Sequence, residues 1–148
     1  MRYKQFAQDY ILRLEPQELI HEQLCAFATE HNIHGAWLQG LGAVSKVELA
    51  HYPLAEKRYN TKVFEEEFEV SNLTGNIALV SGIPFAHIHI TLGRADYSAL
   101  AGHLVSGTVG ASLELRVQPL CETLTRSSIN DPQTNLRLLE LDYCQIKS

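Results

Sequence analysis

The chain has 148 residues, 45% of them hydrophobic and 20% charged, with a formal net charge of −5 at neutral pH. That length is most simply one domain, residues 1–148, with room for a proper core. The acidic balance, with lysines and arginines scattered along the chain, weighs against nucleic acid as the default partner, because phosphate neutralisation supplies most of a DNA-binding domain's affinity.

Residues 10–14 read as a strand. Glu15-Pro16-Gln17-Glu18 opens a helix, with proline near the first turn and acids where the helix dipole favours them. Leu19, Ile20, Leu24, Phe27 and Ala28 recur at helical spacing, and the helix ends near His31-Asn32. Residues 33–39 form a second strand, broken by Gly40-Leu41-Gly42-Ala43. A bare Gly-x-Gly is weak evidence for a phosphate cradle, and a tight turn or close backbone contact explains it better. Residues 44–52 are strand-like, and residues 53–60 are a polar connection.

Phe64, Glu66, Phe68 and Val70 alternate with Glu65, Glu67 and Glu69, which predicts a strand with an acidic face. Leu73-Thr74-Gly75-Asn76 reads as a turn or bulge before a strand over 77–80. Gly82-Ile83-Pro84 then turns the chain, as in a hairpin, into a strand ending at Gly93. Residues 96–101 are a short helix or loop, 108–117 a strand, Asn130-Asp131-Pro132 a loop and 136–141 a final strand. The sum is an α+β single domain, with a mixed, largely antiparallel β-sheet and few helices.

No apolar run approaches a membrane span. Met1-Arg2-Tyr3-Lys4-Gln5-Phe6 has no signal-peptide core behind its charges. Cys25, Cys121 and Cys144 are odd in number and widely spaced, which fits free thiols. A cytoplasmic protein is expected.

The chemistry concentrates in Pro84-Phe85-Ala86-His87-Ile88-His89-Ile90-Thr91-Leu92-Gly93. Alternation on a strand puts Phe85, His87, His89 and Thr91 on one face. A core strand has no packing reason for two histidines there. His103, separated from His89 by thirteen residues, is placed to close a set of three ligands. Three neutral imidazoles with an open position suit zinc or another divalent metal. Hydrogen-bonded histidines with no metal are the alternative. His21, His31, His34 and His51 have no such partners, and His21 and His31 are expected on the helix surface.

A metal-based reaction also needs an acid or base within reach. Glu65, Glu67 and Glu69, with Tyr52 or Tyr59, are the candidates, although alternating glutamates more simply form a solvated face. Arg94 is placed to pair with a small anionic ligand. No catalytic residue is identified, and no nucleotide-cofactor fingerprint is present. Nucleophilic catalysis lacks a Gly-x-Ser-x-Gly elbow or an activated cysteine, and Cys25 belongs to the core.

Ser71-Asn72-Leu73-Thr74-Gly75-Asn76-Ile77-Ala78, the histidine strand and Gly102-His103-Leu104-Val105-Ser106-Gly107-Thr108-Val109 together resemble the PPC domain, the plants-and-prokaryotes conserved domain. Arg13, the Gly40-Leu41-Gly42-Ala43 segment and Asn135-Leu136-Arg137-Leu138-Leu139 extend the resemblance over nearly the whole chain. It implies a stand-alone prokaryotic type, a homotrimer, and a metal, zinc, on His87, His89 and His103 near a subunit interface. It also implies a fold similar to acetolactate decarboxylase, itself a three-histidine zinc enzyme. Prokaryotic members are commonly described as DNA-binding by extension from plant relatives that carry an AT-hook. This chain has no Arg-Gly-Arg-Pro hook, and Glu66-Glu67 stands where plant members carry Gly-Arg.

Three readings follow. The first is a DNA-binding or regulatory protein, homotrimeric, with a three-histidine metal site. The second is a zinc-dependent, lyase-like enzyme acting on a small oxo acid. The third is a protein-interaction module.

Overall fold

The structure, a computed structural model, describes residues 1–142. Its strands are β1 (Arg2–Phe6), β2 (Asp9–Leu14), β3 (Gly35–His51), β4 (Asn60–Phe64), β5 (Phe68–Val80), β6 (Ile83–Gly93), β7 (Ala99–Pro119) and β8 (Thr125–Arg126), with one helix, α1 (Ile20–Glu30). They form one sheet in the order β1-β2-β7-β6-β5-β3-β4. β3 also pairs with β7, so β3, β5, β6 and β7 close into a ring. Every pairing between these strands is antiparallel except the short parallel contact of β8 with β5. Leu12, Leu14, Leu38, Leu73, Ile77, Ile88, Ile90, Leu104 and Leu115 are buried in the core. α1 adds Ile20, Leu24, Phe27 and Ala28, the spacing expected of its apolar stripe.

Strand β3 runs unbroken where a turn was expected at Gly40-Leu41-Gly42. The glycines serve close approach: a Cβ on Gly42 would lie 2.3 Å from the Ser112 carbonyl oxygen, and the register slips between Gly40 and Gly42. β5 likewise continues through the expected turn at residues 73–76. A Cβ on Gly75 would lie 2.2 Å from the carbonyl oxygen of His87, so Gly75 lets β6 sit flush against β5. The expected hairpin is present. Ser81 and Gly82 both have positive φ, the geometry of a two-residue turn matched to strand twist.

Other expectations are corrected. α1 starts at Ile20, not near Pro16, because residues 17–19 are already tied to β7: Gln17 donates to the Val109 carbonyl, Val109 donates to Glu18, and Leu19 bridges Thr108. Glu65–Glu67 are not on a strand; they join β4 to β5. Residues 94–98 are a loop. Residues 136–141 form no strand, only the bridge Arg126↔Leu139. β1 was not anticipated, because all five of its residues are exposed and show no burial alternation. His21 and His31 are half-buried, not surface residues. His31 packs edge-on to Tyr3 and against Phe27, and His21 Nδ1 is buried. Cys25 packs against the core as expected. Cys144 lies outside the described residues.

Candidate metal centre

β6 presents His87 and His89 on the face opposite Ala86, Ile88 and Ile90, which are buried. His89 is the register partner of His103 on β7, and the Cα of His103 also pairs with Ala50 of β3. Sheet closure thus brings a residue fourteen positions away beside the pair. The ring centroids lie 5.2 Å apart for His87–His89, 5.1 Å for His87–His103 and 5.5 Å for His89–His103. One nitrogen from each ring falls within 4.8 Å of the others. Nitrogens on a tetrahedral zinc stand roughly 3.3 Å apart, so small ring rotations close the set.

Three observations fit a metal. Nδ1 of His103 is buried with no hydrogen-bond partner. Tyr59 stacks on the other face of the site at 5.1 Å from the His103 ring and fixes its plane. His87 and His103 are held neutral, the form a metal needs. Burial pushes His87 down to about 4, helped by the charge of Arg126 and by the other imidazoles. His103 is also pushed down to about 4, by burial first and then by His89, His21 and Arg126. A divalent metal here would act as a Lewis acid toward an oxygen ligand in its open position.

Sequence reasoning missed the nearest cation. Arg126, on β8, places Nη2 3.0 Å from His87 Nδ1 and donates to Asn76 Oδ1 at 3.1 Å. Asn76 is the buried polar side chain of the core and the register partner of His87. Nη1 of Arg126 donates to the Arg137 carbonyl. Nothing in the local sequence marks Arg126. Its position follows from the parallel pairing of β8 with Leu79 and Val80.

Arg94 and the glutamates lie elsewhere. Arg94 follows the far end of β6, roughly 16 Å from His89 at about 3.3 Å per residue. It forms an ion pair with Glu66 at 3.0 Å, and its guanidinium lies over the Phe64 and Phe68 rings. Glu65 pairs with Lys46. Glu67, Glu69 and Arg94 line a separate cleft of about 760 Å³ with no imidazole in its wall. Of the expected acid–base candidates, only the tyrosines reach the histidines. Tyr52 and Tyr59 line a cleft of about 560 Å³ with His87 and His103. Burial and Tyr52 raise the Tyr59 hydroxyl above its usual range, against the pull of Arg126. The Tyr59 hydroxyl therefore keeps its proton at neutral pH.

Among the described residues, no helix is long and apolar enough to cross a membrane. Among curated proteins, no sequence matches. Among solved structures, a protein from Bacteroides thetaiotaomicron described as a "putative DNA binding protein" is 35% identical, with 94% of this chain and 96% of that one covered and a TM-score of 0.88. A metal-containing protein from Archaeoglobus fulgidus is 30% identical, covering 95% and 99%, with a TM-score of 0.84. The α-acetolactate decarboxylase of Bacillus subtilis is 13% identical, covering 90% of this chain and 61% of the enzyme at a TM-score of 0.56, a likeness of fold alone. The profile of the Plants and Prokaryotes Conserved (PCC) domain matches residues 1–120, and the chain belongs to that family.

Proposed function

We propose that this chain is a stand-alone member of its family that works as a homotrimer, holds zinc on His87, His89 and His103, and acts in DNA binding or its regulation. The observation that carries the metal reading is the convergence of one nitrogen from each of the three rings, and a buried, unpartnered His103 Nδ1 adds to it. The 30% identical Archaeoglobus protein is described as metal-containing, which supports the same reading. Exposed Ile11, Trp37 and Leu41, on strands β2 and β3 that flank β7, supply apolar surface for a second copy of the chain. The DNA reading is supported by the description of the Bacteroides relative. The net charge of −5 opposes tight phosphate binding by the chain as a whole.

A zinc-dependent, lyase-like enzyme is the second reading. It is favoured by the cleft of about 560 Å³ that opens beside the imidazoles, with the protonated phenol of Tyr59 in its wall. Metal content per subunit, measured on the wild type and on His89→Ala, tests the shared premise. One zinc per subunit that is lost in His89→Ala is the expected result. A protein that takes up no metal even from excess zinc overturns it.

A further inference from the structure

The wall of the histidine cleft facing β6 is made by the stretch 124–139, which is strapped across the β3–β4 connection. Tyr52 donates to the Thr134 carbonyl at 2.6 Å, Lys57 Nζ to the Pro132 carbonyl at 3.1 Å, and Asn135 to the Lys57 carbonyl at 3.1 Å. The strap and the connection between them supply four cations to one cleft: Lys57, Arg58, Arg126 and Arg137. No carboxylate lines it. In a chain with 17 acidic and 12 basic residues, that segregation is not the average surface. Arg58 is paired with Glu56 at 3.0 Å, whereas Lys57, Arg126 and Arg137 have no carboxylate partner among the described residues, and like charges so gathered repel one another unless an anion joins them.

Arg126 shows the same deficit in detail. Its Nε is buried with no partner, and among the described residues it forms no ion pair. A guanidinium fork matches the paired oxygens of a carboxylate or phosphate. Tyr59 and Phe85, each 42% exposed, add an apolar wall beside it. The volume, about 560 Å³, is that of a small-molecule site.

We propose that this cleft binds a small organic anion, its carboxylate or phosphate group held by Arg126 and its apolar body against Tyr59 and Phe85. The proposal rests on the metal reading above only for its second anchor, an oxygen of the ligand on the metal. Arg126 and Arg137 lie outside residues 1–120, the part of the chain that the family profile matches.

Calorimetric titration of the full chain, zinc-loaded and zinc-free, with phenylphosphate and with phenylacetate tests it. Saturable binding of one anion per subunit is expected, and the better probe tells phosphate from carboxylate. Arg126→Gln should weaken it roughly tenfold or more, and Arg126→Lys, which keeps the charge and loses the fork, by less. Arg58→Gln with Arg137→Gln changes two exposed side chains and should weaken it several-fold, so the proposal stands or falls even if Arg126→Gln does not fold. Arg94→Gln, in the other cleft, should change nothing. Binding of neither probe, equal binding to every variant, or binding of a DNA duplex alone overturns the proposal. Zinc measured in the same samples separates the two claims. Zinc with no anion binding removes the anion site only, whereas anion binding by a protein that takes no zinc removes the metal reading only.

Discussion

Nη2 of Arg126 lies 3.0 Å from Nδ1 of His87. A neutral imidazole has one acceptor nitrogen, and a guanidinium never gives up its proton at ordinary pH, so Arg126 takes the only lone pair His87 has. A metal ion at His87 needs that same lone pair. If Nδ1 is the ligand, the metal displaces Arg126 directly. If Nε2 is the ligand, the ring proton must move to Nδ1, and Arg126 must again let go. Arg126 and the metal are therefore rivals for His87.

Removing the rival should tighten zinc binding. Arg126→Gln is expected to raise zinc affinity about tenfold, the low end for a hydrogen bond to a charged group because the arginine is only half-buried. The same change leaves Asn76 Oδ1 without its donor inside the core, so the metal-free protein should lose roughly 1–3 kcal/mol of stability. Chelator competition and thermal unfolding read the two effects separately. Unchanged or weaker zinc affinity would show that Arg126 does not contest the ligand.

The proposed trimer would use the outer face of β2 and β3. Trp37 and Leu41 are 50% and 57% exposed in the single chain. Burying them against another copy removes apolar surface from water, and a charge there would have to be desolvated without a partner. Leu41→Glu should convert a trimer into monomers in light scattering while far-ultraviolet circular dichroism stays unchanged. A trimer that survives the change places the interface elsewhere.

The histidine pair was legible in the sequence because strand alternation is local. His87 and His89 share a face whatever lies around them, and the buried Ala86, Ile88 and Ile90 are the other half of one pattern. His103 was reachable through its short spacing, and sheet closure puts it where the spacing suggested. Arg126 was not legible. Its place comes from pairing with residues nearly fifty positions earlier, and a two-residue strand carries no periodicity. Arg94 misled for the converse reason: adjacency to the histidine strand in sequence becomes distance along a strand. Lys57, Arg58, Arg126 and Arg137 look scattered in sequence, yet the strap gathers them at one cleft. Gly75 misled as well, since a close approach between strands and a turn use the same residue.

Gly75 gives that last point a test. A methyl group there would overlap the His87 carbonyl oxygen, which belongs to rigid backbone, so β5 and β6 must part. Gly75→Ala is expected to destabilise by about 3 kcal/mol, the upper range for overpacking, and to weaken zinc binding because β6 carries two of the ligands. Gly82→Ala is the contrast. Gly82 has φ +80° and nothing within 4 Å of its Cβ position, so the cost is backbone strain of roughly 1 kcal/mol, with zinc binding intact. Equal effects of the two variants on zinc would mean that strand spacing does not position His87.

Acid should unfold the metal-free protein partly through the same imidazoles. In the unfolded chain they take up protons near pH 6.5. In the fold, His87 and His103 stay neutral down to about pH 4. Between those values the unfolded chain binds more protons, so stability falls as pH is lowered through this window and is fully present above it. Tm measured from pH 7.5 to 4.5 should drop more steeply for the wild type than for the double variant His87→Gln, His103→Gln. Carboxylates, and His21 with its lowered proton affinity, remain in both proteins and cancel in the difference. Saturating zinc should lift the wild-type curve and leave the variant's unmoved, because the ion binds only neutral imidazoles in the folded state. Parallel curves without metal would show that the two rings are protonated in the fold as readily as in the unfolded chain, and would remove the electrostatic basis for a preformed metal site.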